Sequence, residues 1–252
     1  MKRVLRAGLV AAVLAGAAAP AAAATTPPDP APGGPQRPFE PDVAGPRNLD
    51  SLQVTATKGE GRSVTVAFDR RSRTAEGAVP AGARRFVFLF DRAISFNPQA
   101  FPTCARTVIT EDGPDACPPG SQVGSGIGTS FDGTEQPVLV FNTRVGSLPG
   151  VLVVLPETNV VLEQTFERVS TPYRGTYRWT LDEILPPTSV PPQDRAGTSR
   201  FRLAFGATTH RHGRPIGFAE TSARPGTPMR FGLWSEFVTG QVVLPTSTTA
   251  LR

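Results

Sequence analysis

The chain has 252 residues, 39% of them hydrophobic and 8% aromatic, and a formal net charge of +5. Lys2, Arg3 and Arg6 supply three of those charges; without them 23 basic residues face 21 acidic ones, a net +2. That near balance excludes the footprint of a nucleic-acid binder, and the length suffices for a core without extra staples.

In chain order, the first expectation is a secretory signal peptide over residues 1–24. Lys2, Arg3 and Arg6 form a positive start, Leu9 to Leu14 an apolar stretch, and Ala17 to Ala24 a small-residue cleavage region broken only by Pro20. Cleavage after Ala23 or Ala24 is expected, with no cysteine nearby for a lipid anchor. Later apolar runs are all interrupted by Gly, Pro or charge, so no transmembrane segment, which needs about 20 residues, is expected in the mature chain. The expected localisation is secreted, extracellular. Lys2 and Lys58 are the only lysines among 26 basic residues, and this codon bias points to a high-GC, actinobacterial genome.

Residues 25–47 read as a Pro-rich, disordered linker, with eight prolines between Thr26 and Pro46. Residues 48–246 read as one β domain, and 247–252 as a tail. Leu52 to Thr57 and Ser63 to Phe68 alternate polar and apolar residues around the turn signal Gly59-Glu60-Gly61. In Arg85 to Asp91, Phe86, Phe88 and Phe90 share one face and Val87 and Leu89 the other, as in a strand covered from both sides. Val138 to Phe141, Val151 to Leu155, Val160 to Phe166 and Thr176 to Leu181 follow as strands, the last with Tyr177 and Trp179 on one face. Thr180 to Leu185 is read as a single helical turn stopped by Pro186. Arg200 to Ala207 puts Phe201, Leu203, Phe205 and Ala207 inward and Arg200, Arg202 and Ala204 outward. Met229 to Val238 and Val242 to Leu244 close the domain. With no sustained 3.6-residue stripe, the expected fold is all-β: a two-sheet antiparallel sandwich, jelly-roll-like, of roughly 10–12 strands.

Two cysteines in an exported chain read as a disulfide, Cys104–Cys117, which closes a short loop. Gly124-Ser125-Gly126-Ile127-Gly128 lacks the strand-to-helix context of a phosphate loop and reads as a small-residue strand that lets another backbone approach. His210 and His212 have a spacing that can bind metal, with Glu220 as a distant third ligand, but solvated turn residues are the expectation, and no metal is assigned. No nucleophile elbow is present. Hydrolysis of a glycoside needs two carboxylates about 5 to 10 Å apart. Glu163 and Glu167 on one strand face would lie roughly 13 Å apart, Asp182 and Glu183 face different ways, and Asp91, at the end of a central strand, reads as the cap of the Phe96-Asn97 turn. Trp179, Trp234 and Tyr173 are the weak candidates for a binding platform, although Trp179 falls in a core-facing run.

Arg85 to Gly128 carries Phe90-Asp91, Phe96-Asn97, Phe101-Pro102-Thr103-Cys104, Cys117 and Val123-Gly124-Ser125-Gly126-Ile127-Gly128. This module resembles a group of uncharacterised secreted β-rich proteins of high-GC Gram-positive bacteria. Thr198 to Ala207 and the turn His210-Arg211-His212-Gly213 are similar to their penultimate strand and hairpin. A second cysteine pair near the C-terminus, frequent in that group, is missing here. The resemblance implies an exported β-rich domain and brings no activity.

The expected function is therefore an exported, non-enzymatic protein that binds an envelope or extracellular partner, with no cofactor and no nucleic acid. The alternative is a carbohydrate-active hydrolase whose carboxylates come from distant strands.

Overall fold

The computed structural model describes residues 26–35, 37–184 and 190–252. The expected signal peptide lies outside the described residues. Among these, the chain forms β1 (Leu49–Lys58), β2 (Val64–Arg73), β3 (Ala83–Asp91), β4 (Ile94–Phe96), the short helix α1 (Arg106–Asp112), β5 (Gln122–Thr129), β6 (Glu135–Val145), β7 (Leu148–Leu155) and β8 (Val160–Arg168). It continues through β9 (Tyr177–Ile184), β10 (Arg200–Phe205), β11 (Thr208–Arg211), β12 (Arg214–Gly217), β13 (Ala219–Thr221), β14 (Pro228–Phe237), β15 (Val242–Val243) and β16 (Thr246–Ala250).

The all-β, antiparallel expectation holds, but the layering differs from a two-sheet sandwich. Twelve strands make one sheet in the order β1-β2-β10-β5-β6-β7-β8-β9-β3-β14, with β15 and β16 both paired to β14. The sheet curls until its ends meet. The Lys58 amide donates to Arg252 O (2.7 Å) and the Arg252 amide to Ala56 O (3.0 Å), and the Val54 amide donates to Ser247 Oγ at 2.9 Å. The result is nearly closed and barrel-like. Period-two alternation demands one buried face per strand and is satisfied equally by a sandwich or a barrel. The seam is closed from the segment read as a tail, where the polar residues 247–249 precede one buried apolar residue, Leu251, bridged to Ala56.

The inward faces meet as one aromatic core. Phe68 from β2 touches Phe88 and Phe90 from β3 at ring-centroid distances of 5.1 and 5.3 Å, Phe231 from β14 at 5.9 Å and Phe205 from β10 at 6.2 Å, all edge to face. One end is plugged by β4, its partner β13, Phe101 and Phe218, with Phe96 at 4.8 Å from Phe90 and Phe101 at 5.5 Å from Phe218. Asn142 Nδ2 donates to the carbonyls of Phe101 (3.0 Å) and Pro102 (3.1 Å), fixing the plug to β6.

The glycine run behaves as its composition demands. A Cβ on Gly126 would lie 1.9 Å from Arg202 O, and one on Gly124 2.1 Å from Ala204 O. The β10 backbone approaches β5 this closely only because those side chains are missing. Two local expectations fail. Thr180 to Leu185 contains no helical turn over its described part, because β9 runs to Ile184. Tyr177 and Trp179 do not share a face. The register shifts between the Phe90–Trp179 and Asp91–Tyr177 pairs, which sends Tyr177 to the outer cluster with Leu89 and leaves Trp179 against the inner one.

Outside the barrel, two walls are covered. Cys104 and Cys117 are bonded, with Cα atoms 5.3 Å apart, and the loop they close carries α1. Ile109 of α1 and Cys104 pack on Phe141, Leu152, Val154 and Val161 of the β6-β7-β8 wall. The segment 26–47, read as a linker, lies on the β3-β9-β14 wall with bonds that a free linker would lack. Pro27 O accepts from Trp234 Nε1 (3.1 Å), Pro28 O from Tyr173 Oη (2.7 Å) and Pro30 O from the Ser170 amide (2.8 Å). Proline carbonyls remain free to accept even though proline has no N–H, so a Pro-rich strap can bind a wall that offers side-chain donors.

The disulfide staples a covering loop outside the barrel. Its reduction should lower stability by about 3 kcal/mol, the entropy of reopening a short loop, and leave the far-ultraviolet β signal intact. Denaturant titrations with and without reductant check this, and loss of the whole β signal would contradict it.

Candidate functional site

Three features are open to chemistry: a polar layer inside the barrel, a cleft at the end nearest it, and a depression on the uncovered wall.

The inner layer follows from the alternation in β2, where Val64, Val66, Phe68 and Arg70 all point inward. Arg70 is 2% exposed. Its Nε binds Asp50 Oδ2 at 2.6 Å and its Nη1 binds Thr198 Oγ1 at 3.2 Å. The guanidinium crosses the barrel to lie 5.0 Å from the Phe86 ring centre and 5.8 Å from that of Phe237, and Ser72 Oγ completes the Asp50 carboxylate at 2.6 Å. On the facing strands, Gln164 and Glu183 are register partners, and Gln164 Nε2 donates to Glu183 Oε2 at 3.1 Å. Burial drives the Glu183 carboxyl up to about 7; the Gln164 hydrogen bond and the charge of Arg37 offset only part of that. Arg70 Nη2, Gln164 Oε1 and Ser235 Oγ have no hydrogen-bond partner among the described residues.

The neighbouring residue faces the opposite way. Asp182 points outward and binds Arg85 through Nε at 2.8 Å and Nη2 at 2.9 Å. Arg37 of the strap also reaches Asp182, and donates to Glu183 O. Arg85 in turn holds Asp29 at 2.6 Å. The strap is thus tied to the wall by a chain of alternating charge, buried at Arg85 and Asp182 and half-buried at Arg37 and Asp29.

The cleft has a volume of about 230 Å³ and lies between the strap and the loops at this end, lined by Val43, Pro46, Val79, Pro80, Arg195 and Val238 among others. The depression lies on the outer face of β1-β2-β10-β5, about 270 Å³ in volume. Its centre is made of short side chains, Thr55, Ala67, Ser125 and Ala204, and its sides of Gln53, Asp69 and Arg202. Arg200 donates to Asp69 at 2.8 and 2.5 Å, and these hydrogen bonds hold the Asp69 carboxyl below its usual range. Arg202 reaches Glu135 at 3.1 Å. Asp69 is the one carboxylate among the residues lining the depression.

The aromatic candidates are not an exposed platform. Trp234 (4% exposed) and Tyr173 (9%) are buried under the strap they hydrogen-bond. Trp179 is half-buried, with the Arg168 guanidinium 3.8 Å from its ring centre. His210 sits on β11 with Nε2 3.1 Å from Glu60 Oε2. His212 leaves the strand in the hairpin turn at φ 52°, so the two imidazoles do not keep strand alternation. Among the described residues no three of His, Cys, Asp or Glu gather as metal ligands. Asp91 caps the β3–β4 turn rather than the Phe96-Asn97 turn, accepting from the amides of Ala93 (2.8 Å) and Arg230 (2.7 Å). Glu163 lies 3.8 Å from Arg106, and Glu167 accepts from Thr165 Oγ1 at 3.0 Å.

No family model, curated protein or solved structure matches this chain. The functional reading therefore rests on these residues alone.

Sequence reading passed over Arg70 and set Glu183 aside as one of two adjacent carboxylates that face different ways. Their signal was present: each continues an inward series, Val64-Val66-Phe68-Arg70 and Trp179-Leu181-Glu183. The depression had no signal, because Gln53, Ala67, Ser125 and Arg202 come together only through the β1-β2-β10-β5 order.

Glu183 makes stability depend on pH. Unfolded, it loses its proton near 4.5; folded, near 7. The folded state holds the extra proton between those values, so this contribution is full below pH 4.5 and is lost as pH rises to 7, by about 3 kcal/mol. Urea titrations across that range should show the loss in the parent and not in Glu183→Gln. Equal slopes in the two proteins would contradict it.

Proposed function

We propose that the chain is an exported, non-enzymatic binding protein, and that it contacts an envelope or extracellular partner through the outer face of β1-β2-β10-β5. The observation that carries this reading is the division of the barrel's outer surface. One wall is occupied by the disulfide loop and a second by the N-terminal strap. The third stays open to solvent and holds a depression edged by groups that donate and accept hydrogen bonds. The interior is filled by phenylalanine rings, so a partner of any size meets the protein from outside.

The chemistry of the depression suits a polar, extended partner. Gln53, Thr55 and Ser125 supply neutral donors and acceptors, and Arg202 supplies a planar donor set that suits carboxylate or phosphate oxygens. Exposed Arg71 adjoins it on β2. The ion pairs Arg200–Asp69 and Arg202–Glu135 balance much of this charge, so contact is not a matter of net attraction alone.

Co-sedimentation of the purified protein with envelopes of a high-GC Gram-positive bacterium tests the reading. Binding should persist at high salt, and Ala204→Trp, which fills the depression from an outward position, should reduce it about tenfold or more. Binding abolished by salt would reduce the interaction to arginine-driven attraction. Undiminished binding by Ala204→Trp would move the contact off this wall.

A further inference from the structure

We propose that the β3-β9-β14 wall is a docking site for proline-rich segments. The N-terminal strap is its tethered occupant, and a proline-rich, acid-bearing segment of another protein takes the strap's place.

The strap is read along its backbone. Five successive carbonyls each accept a hydrogen bond from the wall: Pro27 O from Trp234 Nε1 (3.1 Å), Pro28 O from Tyr173 Oη (2.7 Å), Asp29 O from Ser170 Oγ (2.8 Å), Pro30 O from the Ser170 amide (2.8 Å) and Ala31 O from Arg85 Nη2 (3.1 Å). One side chain is read as well, since Asp29 Oδ2 accepts from Arg85 Nη1 at 2.6 Å. Proline has a carbonyl and no N–H, so a proline-rich segment presents acceptors almost alone. Each of these wall groups donates, which is the complement such a segment needs. Pro30 and Ala31 are buried, and Ala31 packs in one cluster with Tyr173, Tyr177 and Trp234. The Arg85 guanidinium lies 5.2 Å from the Trp234 ring centre. Aromatic rings that also donate hydrogen bonds are the general means of holding proline-rich ligands.

Two features suit the strap to exchange. Recognition falls on backbone atoms and one carboxylate, which any segment of this composition presents. The read residues also belong to no strand of the sheet. Gly33 and Gly34 separate them from the next fixed point, Arg37, which is held by Asp182 and Glu183 O. Residues 27–31 lift at that glycine pair while Arg37 and the chain after it stay on the wall. A tethered occupant competes as if present at about millimolar concentration, so the wall opens to a rival only when the strap is weakened or the rival is abundant. This wall is not the β1-β2-β10-β5 face, and the proposal does not rest on the envelope contact.

Proton–nitrogen NMR of the two tryptophan indoles tests this on the purified protein. Asp29→Lys reverses the charge that faces Arg85. It should move the Trp234 indole signal toward the position of a solvated indole and leave that of Trp179 in place, with circular dichroism confirming the fold. The capped peptide Thr-Pro-Pro-Asp-Pro-Ala-Pro, added at millimolar concentration, should return the Trp234 signal to its parent position. Calorimetry should find this peptide bound about tenfold more tightly by Asp29→Lys than by the parent, whose wall is occupied. The same peptide with alanine for every proline, or with lysine for its aspartate, should bind about tenfold more weakly or worse. Ala204→Trp on the open wall should leave the response unchanged, which separates this contact from the envelope-binding one. A Trp234 signal unmoved by Asp29→Lys would make the strap a fixed part of the wall. A released signal that the peptide does not return, or that the proline-free peptide returns as well, would remove proline recognition. Each of these results overturns the proposal.

Discussion

The Phe68 ring, at the centre of the aromatic core, fills a barrel whose size is set by its strands. Eight strands enclose an interior that ordinary side chains just fill. Here ten strands run from β1 to β14, and an eleventh position is shared by β15 and β16. A wall this long encloses more volume than aliphatic residues reach across. Phenylalanine is the residue that spans it, and Phe68 meets four other rings from three further strands in edge-to-face contact. Such pairs add about 0.5–1.5 kcal/mol each beyond the area they bury. The strong bias of the composition, 15 phenylalanines against two tryptophans and two tyrosines, follows from that need.

The ends meet the same volume problem in opposite ways. At the plugged end the chain spends a whole segment, β4, Phe101, Phe218 and β13, to bring more rings inside. At the other end it extends one long side chain from β2 across the lumen. Arg70 fills space with its stem and stacks on Phe86 and Phe237, but it brings a charge into the interior. That charge requires Asp50, and the polar positions opposite, Gln164 and Glu183, accompany it. The raised carboxyl of Glu183 is thus a consequence of closing a wide barrel with a polar layer.

Strand existence and facing were legible in the sequence, because alternation in Arg85 to Asp91 and Arg200 to Ala207 is a local property. The disulfide was legible from the even cysteine count together with the expected export. Closure was not: whether inward faces meet across a sandwich or around a barrel depends on strand order, and β10 lies between β2 and β5 although at least 70 residues separate it from either. The strap was hidden for a different reason. A proline-rich segment looks disordered until the wall beside it offers Trp234, Tyr173 and Arg85 as donors, and those residues come from β14, the turn before β9 and β3. The open wall was invisible because its outward residues look like ordinary polar surface, and become a depression only beside one another.

The seam between β1 and β16 carries a kinetic consequence. The first strand of the barrel finds its neighbour only at Ser247 to Arg252, so the wall cannot close until nearly the whole chain is present. Contacts this distant in sequence are assembled late and slowly. A chain threaded through a secretion channel would emerge with both edges of its sheet unpaired, and edges of that kind recruit other chains. Until β16 arrives, protection from such pairing falls to a feature that acts locally: the disulfide loop, folded against the β6-β7-β8 strands that follow it.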